Sequence, residues 1–409
     1  MARSYPLRAL GDFFRIKHGF AFKGEHFVDA GEFVLLTPGN FEARGGLKLK
    51  GDKEKYYDGE VPKDFVLRRG DLIVAMTDLT QNAPILGAPA FVTENERFLH
   101  NQRLGKVVEL NEAALEKRYL YYLFNLRATR EQLKATATGA TVRHTAPERI
   151  YRVTAPVPGI EVQRRIADIL SAYDDLIENN TKRIKILEEM ARSLYREWFV
   201  NFRFPGHEKV KMVNSALGKV PEGWNASTLG TNARILMGQA PKSDSYNETG
   251  DGLPFHQGVT NFGAHFPTHR AWCTSSSART ADAGDLLFSV RAPVGRINFA
   301  PDRLVVGRGL AAIRHAAGAQ AFLWLQLGER VQEDSMGGGT IFKAVTKDDV
   351  HKIPWLEPTA RIRQEFDALA ETLLRQIQLL TAKQEVLART RDLLLPRLIS
   401  GDVVVEPNA

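Results

Sequence analysis

The chain repeats itself. Leu10-Gly11 opens an apolar stretch that ends in HGFAFKGEHF, and Leu229-Gly230 opens one that ends in MGQAPKSDSY. GDLIVAMTD from Gly70 is answered by GDLLFSVRAPVG from Gly284, NQRLGKVV around Arg103 by VGRGLAAI around Arg308, and TGATV by GGGTI. Past residue 158 the offset settles at 200 residues, where APVPGIEVQRRIADIL matches PWLEPTARIRQEFDAL. A repeat of this length restricts the fold to two copies of one unit in tandem.

Each copy has two parts. The first mixes short β-like runs (33–36, 72–75, 286–290, 304–306) with Gly/Pro-rich loops and one or two helices. The second is a long helix, with Pro158 or Pro358 just before its start. Apolar or small residues fall at 166, 170, 173, 177, 184, 187, 191, 194 and 198, in alternating steps of four and three. That is a coiled-coil seam, carried by Leu170, Tyr173, Ile177, Ile184 and Leu187 and broken at Asn180. Adding 200 gives Leu373, Ile377, Leu380 and Leu387, with Gln384 and Arg391 as the breaks. A stripe this long, spanning on the order of 50 Å at ~1.5 Å per residue, needs a partner helix. Either a second chain or the other copy supplies it; repeats joined in cis favour an antiparallel intramolecular pair. Facing residue numbers then have a constant sum, and a sum of 564 sets Asn180 opposite Gln384 and Trp198 opposite Phe366. That register pairs both amides, and an unpaired buried amide costs ~1–3 kcal/mol.

Composition excludes more than it selects. The 409 residues are 44% hydrophobic and 25% charged, with no apolar run of the roughly 18–20 uncharged residues of a membrane span. MARSYPLRALGDFF holds no secretory signal, so a cytoplasmic location is expected. The single cysteine, Cys273, rules out an internal disulfide and a four-cysteine metal site. A net charge of +7 suits a polyanionic partner without requiring one. No phosphate-binding G-x-x-x-x-G-K-[ST] loop, no dinucleotide fingerprint, no Asn/Asp-Pro-Pro-aromatic run and no G-x-S-x-G elbow occurs. His265, His269 and Cys273 are spaced by four, but Pro267 makes the segment loop-like and structural zinc takes four ligands, so no metal is expected.

The helix QRRIADILSAYDDLIENNTKRIKILEEMARSLYREWF, a linker ending PEGW, and then a second unit and helix resemble the specificity subunits of type I restriction–modification systems. The similarity runs through essentially the whole chain. It implies an α+β fold: two α/β target-recognition domains in pseudo-twofold tandem repeat, separated by two long helices forming an antiparallel coiled coil. The implied divisions are 1–155 and 229–355 for the target-recognition domains and 156–202 and 356–400 for the helices. A linker then occupies 203–228 and a tail 401–409. Each domain of such a protein reads one half of a split double-stranded DNA site. The helices set the spacer and dock two modification (methyltransferase) subunits, which restriction (endonuclease–translocase) subunits join. The chain itself is then a non-catalytic reader; S-adenosylmethionine, ATP and Mg belong to its partners. A coiled-coil scaffold that never touches DNA, or the specificity chain of an atypical modification enzyme, are the alternatives.

Base readout needs Arg, Lys, Asn, Gln, Ser or Thr on loops that enter the major groove, and phosphate contacts need cations and amides. In the first unit the candidates are Thr77, Thr80, Gln81 and Asn82 after the GDLIVA strand, with Lys23, Arg44 and Lys48 on earlier loops. Thr141, Arg143 and His144 in TGATVRH suit a phosphate, and the segment reads equally as a turn. In the second unit they are Arg291 and Arg296, Thr340 and Lys343, Gln257 and Asn261, and Lys242 and Ser243. Arg103 and Arg308, beside glycines in β-like runs, read as structural.

Overall fold

Runs such as LIVA at 72–75 and LLFS at 286–289 bury every residue, as short strands covered on both faces do. The computed structural model describes residues 5–331 and 345–406. The chain divides into two units, one taking residues through Glu178 and from Glu385 onward, the other Asn179–Gln384.

In the first unit the main strands are β1 (Arg15–His18), β2 (Phe33–Leu36), β3 (Leu72–Ala75), β4 (Phe98–His100) and β5 (Leu104–Val108). One antiparallel sheet has the order β1-β5-β3 followed by Pro89–Phe91. In the other, β2 pairs with β4 in parallel. The second unit repeats the plan with β6 (Ala233–Met237), β7 (Leu253–His256), β8 (Leu286–Ser289), β9 (Leu304–Val306) and β10 (Leu310–His315). Its antiparallel sheet runs β6-β10-β8 followed by Ile297–Phe299, and β7 pairs with β9 in parallel.

The helices are α1 (Lys117–Asn125), α2 (Arg127–Thr136), α3 (Ile160–Tyr195), α4 (Gln320–Arg330) and α5 (Ala360–Ser400). Both units take a segment of α3 and a segment of α5, and in each the two segments pack antiparallel. In the first unit Arg391 of α5 donates to Asp174 of α3, and Leu170 and Leu398 share one core. In the second, Gln384 Nε2 donates to Thr181 Oγ1 at 2.5 Å, the Trp198 and Phe366 rings lie 5.6 Å apart, and Ile184 and Leu380 share a core. The fold is α+β, with the long helices paired as a coiled coil.

The seam is buried at Leu170, Asn180, Ile184, Ile377 and Leu380, and half-buried at Tyr173, Ile177, Leu187, Leu373, Gln384 and Leu387. One detail differs from the constant-sum reading. Gln384 reaches Thr181 instead of Asn180, whose Nδ2 is buried without a hydrogen-bond partner. Glutamine is one methylene longer than asparagine, which carries its amide to the hydroxyl of Thr181, the residue after Asn180.

The polar segment 203–228 is more ordered than its composition suggests. Met212–Ser215 and Gly218–Pro221 form a hairpin, and Asn225–Thr228 pairs with Pro354–Glu357. Trp224 is the anchor: its ring packs against Phe199, Phe202 and Phe204 at 5.2–5.6 Å.

Candidate nucleic-acid interface

Strand direction decides which loops meet. β1 and β3 both run antiparallel to β5, so both end where β5 begins. β2 runs parallel to β4, and β4 leads through residues 101–103 into β5. The segments that follow β1, β2, β3 and β4 therefore leave the sheets at one end. Main-chain hydrogen bonds tie those after β1, β3 and β4 together: Phe20 N–H to His100 O at 2.8 Å, Gln102 N–H to Phe20 O at 2.9 Å, and Met76 N–H to Arg103 O at 2.9 Å. The second unit gathers the segments after β6, β7, β8 and β9 in the same way. There Gln239 N–H donates to Val306 O at 3.0 Å, Gly309 N–H to Gln257 O at 3.0 Å, and Val290 N–H to Gly309 O at 3.0 Å.

Most of the first unit's candidates sit in two segments that the fold brings side by side. Strand Arg143–His144 pairs antiparallel with Thr77–Asp78, which lays the TGATVRH segment against the loop after β3. Thr80, Gln81, Asn82, Thr141 and His144 are exposed there. Thr77 is buried, with Oγ1 3.0 Å from His144 Nδ1, so it positions the histidine. The half-buried Arg143 donates to Lys134 O at 2.8 Å. On the earlier loops Lys23 and Lys48 are exposed, each with a carboxylate at 3.9 Å (Glu25 and Glu42). Arg44 turns elsewhere: it pairs with Asp392 of α5 at 3.1 Å, beside a cavity of about 380 Å³ lined by Tyr121, Tyr122 and Arg391.

Two residues not singled out in the sequence hold the loop after β3. Buried Asp78 accepts from Thr80 N and Oγ1 at 2.9 and 2.8 Å and from Ile85 N at 2.7 Å. Buried Arg130 of α2 donates to three carbonyls, Phe124 and Leu86 and Ala43, at 2.7–2.8 Å. The only trace of these roles in the sequence is a charged residue on an otherwise apolar face, and its partners are too distant in the chain to infer.

In the second unit Lys242, Ser243, Gln257 and Arg291 are exposed, and Asn261 and Arg296 are half-buried. Arg296 N–H donates to Ser289 Oγ at 2.9 Å, which with Ser289 Oγ to Pro293 O at 2.6 Å closes the loop after β8. Thr340 and Lys343 lie outside the described residues. The three residues weighed as metal ligands have separate partners. His265 meets Glu188 at 2.5 Å, His269 meets His256 at 2.9 Å, and Cys273 lies 3.5 Å from Ser245 Oγ. Two buried imidazoles stand behind these loops. Burial holds His100 and His256 down to about 4, so both are neutral at pH 7.

Two α+β repeats that each collect polar loops at one sheet end, on a shared pair of long helices, define a class of paired recognition modules. Residues 5–189 match the family described as type I restriction modification DNA specificity domain. The chain is 31% identical over 321 residues to the MjaX type I restriction enzyme specificity subunit of Methanocaldococcus jannaschii, covering 76% of this chain and 73% of that protein. It is 28% identical over 302 residues to the MjaIX specificity subunit of the same organism, covering 70% and 69%. The crystal structure of a type I restriction–modification S subunit from M. genitalium shares the fold, with a TM-score of 0.60 at 17% identity over 97% of this chain and 96% of that one. The chain belongs to the family of type I restriction enzyme specificity subunits. Among the described residues no helix is long and apolar enough to cross a membrane.

Proposed function

We propose that each unit reads one half of a bipartite, asymmetric site in double-stranded DNA, through the loops gathered at one end of its sheets. The observation that carries this reading is the repetition of that loop cluster in both units with different side chains at matching places. Equivalent scaffolds with divergent loops suit half-sites alike in layout and different in sequence.

The helices supply the rest. Among the described residues, the large apolar side chains that stay exposed on α3 and α5 are Leu176, Ile186, Met190, Leu369, Leu379, Val386 and Leu393. All occupy the heptad positions that flank the seam on one side, and each unit carries a share. Apolar surface so placed suits further helices that extend a two-helix coil into a bundle. Two modification (methyltransferase) subunits dock there, one for each unit, and restriction (endonuclease–translocase) subunits join that core. The spacer between half-sites follows the length of α3 and α5. In this reading the chain performs no chemistry: S-adenosylmethionine, ATP and Mg act in the partner subunits, in the cytoplasm.

Co-expression with the neighbouring modification subunit, followed by single-molecule mapping of adenine methylation, tests the reading. A split, asymmetric motif that disappears when this chain is omitted is expected. Unchanged methylation from an assembled complex would overturn it.

A further inference from the structure

The tight turn that opens the central strand is built alike in both units. In the first, Leu104 N–H donates to Asn101 O at 2.9 Å, with Gln102 and Arg103 at the corners. In the second, Leu310 N–H donates to Gly307 O at 3.0 Å, with Arg308 and Gly309 at the corners. The ladder gives the same match, since Leu104 pairs with Ala75 and Leu310 with Ser289, the last residues of β3 and β8. Arg308 therefore corresponds to Gln102, and Arg103 to Gly309. Matching the two arginines by sequence is wrong by one residue, because the hydrogen-bond register and not residue identity sets the equivalence.

In the second unit this turn lies within the loop cluster on a fixed base. Gly307 N–H donates to His256 O at 2.8 Å, Gly309 N–H to Gln257 O at 3.0 Å, and Val290 N–H to Gly309 O at 3.0 Å. A Cβ on Gly307 would stand 2.6 Å from Gln257 Cα, and one on Gly309 2.6 Å from Gln257 O, so only glycine lets the turn pack this closely. Between the two glycines, Arg308 is exposed and makes no ion pair or side-chain hydrogen bond with the described residues. A rigid backbone that presents an uncommitted guanidinium is what base reading requires, since loosely held groups lose geometric selectivity.

We propose that the first corner of this turn is a specificity-determining position in both units: Arg308 reads a guanine in one half-site, and Gln102 reads an adenine in the other. Arginine matches guanine O6 and N7 with two parallel donors, and glutamine pairs with adenine N6 and N7 through its donor–acceptor amide. The inference rests on the DNA-reading function above and deepens it to a residue and a base.

The test maps adenine methylation by the wild-type complex and by R308A, R308Q and Q102R, each co-purified with the modification subunit. In R308A, discrimination at one guanine of one half-site falls roughly ten- to hundredfold while the other half-site is unchanged. R308Q shifts preference at that position from guanine to adenine, and Q102R makes the reverse change in the other half-site. An unchanged motif overturns the proposal, as does a change spread over both half-sites. So does a uniform loss of methylation by assembled variants, which marks a phosphate contact. A wild-type complex without any split motif would instead overturn the DNA-reading function itself.

Discussion

Arg130 shows how one side chain can hold several loops in place. Its guanidinium spans carbonyls at 43, 86 and 124, which joins two loops and a helix end through one rigid fork. Lysine keeps the charge but not the planar set of donors. Arg130→Lys is therefore expected to cost about 2 kcal/mol, through buried carbonyls left unpaired, and chemical denaturation of the purified chain measures it. The buried histidines set an acid limit. Unfolded, an imidazole titrates near 6.5, whereas burial brings His100 and His256 to about 4. Between those values the unfolded chain binds more protons, so their contribution is complete above about pH 6.5 and is lost as pH falls toward 4. Melting curves across that range check the direction, and replacing either histidine with glutamine should flatten the slope.

The long helices are legible in their elements because a heptad is a local pattern: each seam position follows from its neighbours three and four residues away. Leu170, Ile184, Ile377 and Leu380 are buried where that pattern puts them. Which polar groups meet across the seam is not local. Asn180 ends with a buried, unpartnered Nδ2 because Gln384 bonds Thr181. Asn180→Leu is accordingly expected to stabilise the chain by about 1–3 kcal/mol, by removing an unsatisfied buried amide; a higher melting temperature than wild type is the readout. An unchanged or lower value would mean that the asparagine is satisfied in solution.

At the scale of the molecule, the proposed spacer is a property of helix length. Adding one heptad to α3 and a facing heptad to α5 keeps the seam in phase and lengthens the pair by ~10 Å. At ~3.4 Å per base pair, the methylated motif should gain about three base pairs between its halves while both halves keep their sequence. Methylome mapping of the insertion variant reads both quantities at once. A spacer unchanged by the insertion would separate the helices from the ruler function.

Repetition, the helical seam and the resemblance to specificity subunits were open to reading from the amino-acid order alone, because each rests on residues near one another or on one copy compared with the other. The loops of the candidate interface were legible as loops, from their glycines, prolines and polar side chains. Tertiary structure decided which of their side chains are exposed and which are paired. Strand pairing between distant segments buried Thr77, set the 141–144 segment against the loop after β3, and matched Arg308 with Gln102, while packing against α5 brought Asp392 to Arg44. A sheet's register is set by hydrogen bonds between residues far apart in the chain, and a shift of one position exchanges which side chain is presented and which is buried.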